Sequence, residues 1–171
     1  MSVLSNCRLS YSVFSLIFVS YITCCQSFAF LQKTPTTKNA NIYAIDAPEG
    51  FDTTSSFNGY LSIQNSAAII MLQLENSNYI RIFKAIDQSY LDRNKLRLIE
   101  KGDLKTRSGD KGKFLTLSFD LNGDVFIRKM VFIGDTKNTL WLNITYPKDL
   151  EELLEQPIEQ SIKTANLELL D

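Results

Sequence analysis

KFLTLSFDLNGDVFIRKMVFIGDTKNTLWLNITYP, residues 113–147, reads as three consecutive antiparallel strands joined by two turns, and the fold follows from its register. Leu115, Leu117, Phe119 and Leu121 alternate with Thr116, Ser118 and Asp120, the period of a half-buried strand. Asn122-Gly123 supplies the two residues with positive φ that a type I′ hairpin turn needs. With Leu121 opposite Asp124, Phe119 is expected to face Phe126, Leu117 to face Arg128 and Leu115 to face Met130. A second turn spans Gly134–Asn138. With Ile133 opposite Thr139, Phe132 meets Leu140, Met130 meets Leu142, Arg128 meets Ile144 and Phe126 meets Tyr146. Both turns then place the apolar residues on one side. The other side is expected to hold Thr116, Ser118, Ile127, Lys129, Val131, Trp141, Asn143 and Thr145, a mixture that suits partial cover by a helix or a partner surface.

Upstream, Asn41–Asp46 reads as a short strand closed by Pro48 and Gly50, Tyr60–Gln64 as a second strand, and the apolar run Ala67–Leu74 as a third, buried on both faces. Asn65-Ser66 makes the turn between the last two. Ser77 or Asn78 caps a helix expected to run to about Arg93, because Tyr79, Phe83, Ile86 and Tyr90 recur at helical spacing. Leu96–Thr106 reads as a strand interrupted near Gly102, and Arg107–Gly112 as an exposed loop of mixed charge. Downstream, Asp149 is placed to cap a helix with a buried stripe of Leu150, Leu153, Leu154, Ile158 and Ile162. Pro157 is expected to kink that helix or start a second one.

The first residues have a different character. Arg8 is the only charged residue before Lys33, Tyr11–Ile22 is apolar, and Ser27-Phe28-Ala29 offers small residues where a signal peptidase cuts. Residues 1–29 therefore read as a secretory signal peptide. The apolar run is shorter than the roughly 20 residues of a membrane-spanning helix. Lipoprotein anchoring through Cys24 or Cys25 is the weaker alternative, since Tyr21-Ile22-Thr23 lacks the usual pattern before a lipidated cysteine. Residues 30–41, polar and without period, read as a flexible linker, and 42–171 as a single domain. The expected location is periplasmic or secreted, with nothing spanning the membrane after cleavage.

Composition narrows the chemistry. The chain has no histidine, and its three cysteines, Cys7, Cys24 and Cys25, all fall in the signal region. A chain cleaved after Ala29 thus lacks thiol nucleophiles, histidine bases and Cys/His metal sites. With 18 basic and 19 acidic residues there is no electrostatic case for nucleic acid. Asp120, Asn122 and Asp124 begin like a calcium loop, but Val125 and Val131 stand where that loop needs glycine and glutamate. The hairpin turn accounts for the same residues. No catalytic residue, cofactor or metal is expected.

Four residues stand out as candidates for binding. Arg128 interrupts the expected apolar face, where it either clamps an acidic ligand or pairs with an acid of the C-terminal helix. Trp141, with Val131 and Lys129, lies on the expected mixed face, either as a binding patch or as packing beneath a helix.

The element order resembles the PsbP-like fold. Asp46-Ala47-Pro48-Glu49-Gly50-Phe51, Ala68-Ile69-Ile70-Met71, Phe132-Ile133-Gly134-Asp135 and Tyr146-Pro147-Lys148-Asp149-Leu150 resemble segments of exported bacterial PsbP-related and DcrB-like proteins, over about Ile42–Leu167. The resemblance implies an α+β fold, an antiparallel sheet of about six to seven strands sandwiched between helices. It also implies a non-enzymatic accessory or binding module that supports a protein assembly in the cell envelope through a protein partner. The alternative is a carrier of a small amphipathic or acidic ligand held between sheet and helix. Fold resemblance transmits no residue roles.

Overall fold

The computed structural model describes residues 44–167, within the unit Asn41–Asp171. The expected signal peptide, the linker and the three cysteines lie outside the described residues. Seven strands form one antiparallel sheet: β1 (Asp52–Thr53), β2 (Gly59–Ser62), β3 (Ala67–Glu75), β4 (Arg97–Lys105), β5 (Lys111–Leu121), β6 (Asp124–Gly134) and β7 (Asn138–Pro147). Their order across the sheet is β1-β2-β3-β7-β6-β5-β4. Helices α1 (Tyr79–Ala85) and α2 (Gln88–Arg93) lie between β3 and β4 in the chain, and α3 (Glu151–Lys163) follows β7. The fold is α+β, as expected.

The β5–β6 hairpin has the expected register, with Leu121 opposite Asp124 and Leu117 opposite Arg128. Asn122 at φ 54° and Gly123 at φ 97° make the two-residue turn. The β6–β7 pairing does not. Gly134, not Ile133, faces Thr139, and Val131 faces Leu142. The loop is tied by Asp135, whose carboxylate accepts from Lys137 N at 2.6 Å and Asn138 N at 2.8 Å, while Asp135 N donates to Asn138 O at 3.0 Å. This shortens the connection by one residue, and a one-residue slip turns every side chain of β7 to the opposite face.

The slip decides both layers. One face collects Ile127, Val131 and Ile133 of β6 with Leu140, Leu142, Ile144 and Tyr146 of β7, and with Ile69 and Met71 of β3. Leu154, Ile158 and Ile162 of α3 complete this core. The other face holds Leu115, Leu117, Phe126, Met130 and Phe132, all buried, beside Trp141, Asn143 and Thr145. There α1 packs on β5, β6 and β7, and α2 against β4. Helices therefore cover both faces, and β6 is buried on both sides, which is why its sequence is an almost unbroken apolar run.

Other expectations need correction. The single helix to Arg93 is two, because Ile86 leaves helical geometry and Asp87 caps α2 through Tyr90 N at 2.8 Å. Asn78 caps α1 as expected, accepting from Ile80 N at 2.9 Å. The irregularity in β4 falls between Leu98 and Glu100, not at Gly102. Asp149 does not cap α3; Lys148–Leu150 is a short 3-10 turn, and the cap position is Leu150. Pro157 lies inside α3 without ending it. Its missing N–H cannot donate to the carbonyl of Leu153 one turn back, and Leu153 itself faces solvent at 60 % exposure. Leu153 is accordingly not in the buried stripe.

The described part of the expected first strand, Ala44–Asp46, is not in the sheet. It is tied to the end of α3: Asn166 N donates to Ala44 O at 3.0 Å, Asp46 N to Thr164 Oγ1 at 2.8 Å, and the Ser161 hydroxyl to Asp46 O. Tyr60 Oη donates to Ile45 O at 2.7 Å and joins the same segment to β2. From the other side the 106–110 loop docks on α3, Arg107 N donating to Lys163 O at 2.8 Å and Ser108 Oγ to Ala165 O at 2.9 Å.

Candidate functional site

Alternation along β6 sends Arg128 and Lys129 to opposite faces. Arg128, 7 % exposed, lies on the α1/α2 face with its guanidinium carbon 4.7 Å from the Phe119 ring centroid, and Phe119 stacks on Phe126 at 5.7 Å. A guanidinium spread over an aromatic face is stabilised by the ring's quadrupole and keeps its stem among apolar neighbours. Lys129, on the other face, pairs with an acid of the C-terminal helix: Lys129 Nζ donates to Glu159 Oε1 at 3.0 Å.

Trp141 is on the side opposite to the one expected. The register places it against Phe132, with ring centroids 5.6 Å apart, and on the same face as Arg128. Its buried indole N–H has no hydrogen-bond partner among the described residues, so packing alone holds the ring there. Trp141 is half-buried, and so are Ala68, Ile70 and Leu72, its neighbours on β3 across the β3–β7 pairing. These side chains form a half-exposed apolar row along the part of the sheet next to α1.

Val131 and Lys129 share the α3 face and do not join the other two. Both line a cleft of about 230 Å³ between the β4–β6 corner and the second half of α3. Leu104, Phe114, Val131 and Ile162 form its apolar wall. Lys129, whose side chain is only 8 % exposed, projects into this setting with Nζ 5.6 Å from the Phe114 ring centroid. A second and larger opening, about 750 Å³, lies at the β1–β2 edge along Gly50–Ser55 and Leu61–Gln64. Neither includes Arg128 or Trp141.

The four candidates thus divide into two pairs on opposite faces. The sequence reading did not foresee Glu159 and Phe114 as partners of Lys129, nor Leu104 as part of the same cleft. The signal for Phe114 was its place two residues before Thr116 on the same strand face, and for Glu159 its place on the α3 side facing Ile158 and Ile162. In the calcium-like run, Asp120 pairs with Arg97 Nη2 at 2.7 Å. Among the described residues, two groups titrate away from their ordinary values. Backbone N–H groups of Asn138 and Lys137 hold the Asp135 carboxyl below its ordinary range. Burial, reinforced by Glu151, Glu155 and Glu159, pushes the Tyr146 phenol up.

Among the described residues no helix is long and apolar enough to cross a membrane. No protein-family model matches the chain, and no curated protein matches it in sequence. Its fold is similar to that of LpqN, a protein involved in cell envelope biogenesis of Mycobacterium tuberculosis, at 14 % identity and a TM-score of 0.50 over 68 % of this chain and 78 % of that one. It is also similar to cyanobacterial PsbP (CyanoP) from Synechocystis sp. PCC 6803, at 8 % identity and a TM-score of 0.49 over 70 % and 83 %. A third similar structure is PA94 of Pseudomonas aeruginosa, a protein of unknown function, at 14 % identity and a TM-score of 0.47 over 58 % and 72 %. At this level of identity the likeness concerns the fold alone, which in this chain is a seven-stranded antiparallel sheet with helices on both faces.

Proposed function

We propose that this chain is an exported, non-enzymatic accessory module that supports a protein assembly in the cell envelope. The observation that carries the reading is the half-exposed apolar row of Ala68, Ile70, Leu72 and Trp141 on a face whose other half is buried under α1 and α2. An aromatic anchor set among aliphatic side chains is the usual centre of a protein-binding patch. The sequence of the first residues supports export, and the role of LpqN in envelope biogenesis agrees with this setting. The absence of histidine, and of cysteine beyond the signal region, supports a binding role over a catalytic one. In the carrier alternative Arg128 anchored an acidic ligand; its place over Phe119, outside both clefts, gives that anchor no support.

The test is affinity capture from envelope extract of the native host, comparing the wild-type protein with Leu72→Asp and Trp141→Ala. A partner retained by wild type and lost by both variants supports the reading. Capture of nothing, or of the same proteins by all three, overturns it.

A further inference from the structure

Lys129 is an unusual wall for a cleft. An ammonium carries three N–H donors. Among the described residues the hydrogen bond to Glu159 uses one of them, and the Phe114 face offers the cation a second, weaker contact. The donors that remain belong to a charge that is nine-tenths buried, where an additional acceptor is worth more than in water. The surrounding charge favours an anion as that acceptor. Asp103 is engaged by Lys113, whereas Lys105 and Lys163, also at the cleft, have no carboxylate partner among the described residues.

Size and polarity narrow the ligand. The cleft has a volume of about 230 Å³. That suits an organic acid with a short or aromatic body and is small for a lipid. The wall of Leu104, Phe114 and Ile162 is apolar, and the Lys129 ammonium stands 5.6 Å from the Phe114 ring centroid.

We propose that this cleft binds a small monocarboxylate with an apolar body, its carboxylate on Lys129 Nζ and its body against Leu104, Phe114 and Ile162. The site is independent of the apolar row on the opposite face. Glu159 has a defined role in it: as the resident carboxylate it competes with the ligand for Lys129, so binding draws Lys129 partly away from Glu159.

Titration of the ¹⁵N-labelled protein with benzoate, and separately with benzamide as its neutral isostere, tests this. Benzoate is expected to shift the amides of Leu104, Phe114 and Ile162, and benzamide to bind at least about ten-fold more weakly. Glu159→Gln is expected to tighten benzoate about three-fold or more, because it removes the competing charge, and Lys129→Met to abolish binding. Glu159 is half-exposed on α3, so its variant reads the proposal even if Lys129→Met fails to fold. Equal binding of benzoate and benzamide, no shifts at these amides, or weaker binding by Glu159→Gln would each overturn it.

Discussion

Phe132 and Trp141 stand directly opposite one another across β6 and β7, their rings 5.6 Å apart, and this pairing exists only in the register set by the Asp135 turn. A loop longer by one residue would set Leu140 against Phe132 and bring the Leu142 and Ile144 row to the α1 side. The carboxylate of Asp135 is therefore expected to matter beyond its exposed position. Asp135→Ala should raise amide hydrogen exchange at Asn138 and Thr139 and lower the denaturation midpoint near neutral pH. The wild-type carboxyl titrates below its ordinary value of 3.8 because backbone N–H groups favour its charged form. Its contribution is thus present above 3.8 and lost as pH falls through the lower folded value. Denaturant unfolding at pH 5 and pH 2 should show the wild-type advantage over Asp135→Ala shrinking on acidification; a constant difference would refute the turn's role.

How far this was legible depends on the turn. Asn122-Gly123 admits one hairpin geometry, so the β5–β6 register could be read directly. Gly134–Asn138 admits two loop lengths, and the apolar pattern does not choose between them. Phe126, Met130 and Phe132 make one apolar row on β6, and Ile127, Val131 and Ile133 make another. Leu140, Leu142 and Ile144 can pair with either. The same ambiguity moved Trp141 across the sheet and separated it from Val131 and Lys129. The break between α1 and α2 was concealed by side chains that keep helical spacing across it, although Asp87, three residues before Tyr90, carried the capping signal.

Gly59 is required by a close approach. At φ 151° it lies so near β3 that an added Cβ would sit 1.9 Å from the carbonyl oxygen of Ile69. Gly59→Ala must open the β2–β3 pairing or shift the strand, and is expected to cost at least about 2 kcal/mol. Gly123→Ala, where an added Cβ meets nothing within 4 Å, should cost only about 1–2 kcal/mol for its positive φ. Paired denaturant curves measure both; equal losses would mean that backbone conformation, not crowding, governs Gly59.

Leu153 and Leu154 are adjacent in α3 and energetically opposite. Leu154 is 2 % exposed in the core, and Leu153 is 60 % exposed. Leu154→Ala is expected to lose about 2–5 kcal/mol, and Leu153→Ala to stay within about 0.5 kcal/mol of wild type. The comparison measures the phase of α3 against the sheet, and comparable losses at both positions would place the helix in another rotation.

Tyr146 links the core to alkaline stability. The ring is 1 % exposed beneath α3, and burial together with Glu151, Glu155 and Glu159 raises its pKa above the ordinary 10.0. The folded protein therefore keeps its phenol proton where the unfolded chain would release it. The stability tied to that proton is complete below pH 10 and falls as pH climbs from there toward the raised folded value. Tyr146→Phe keeps the ring volume and removes the titration. Relative to wild type, the variant should gain stability between pH 9 and pH 11.5 in denaturant unfolding, whatever their difference at neutral pH. Parallel decline of the two proteins over that interval would show that Tyr146 ionises in the folded state as readily as in the unfolded one.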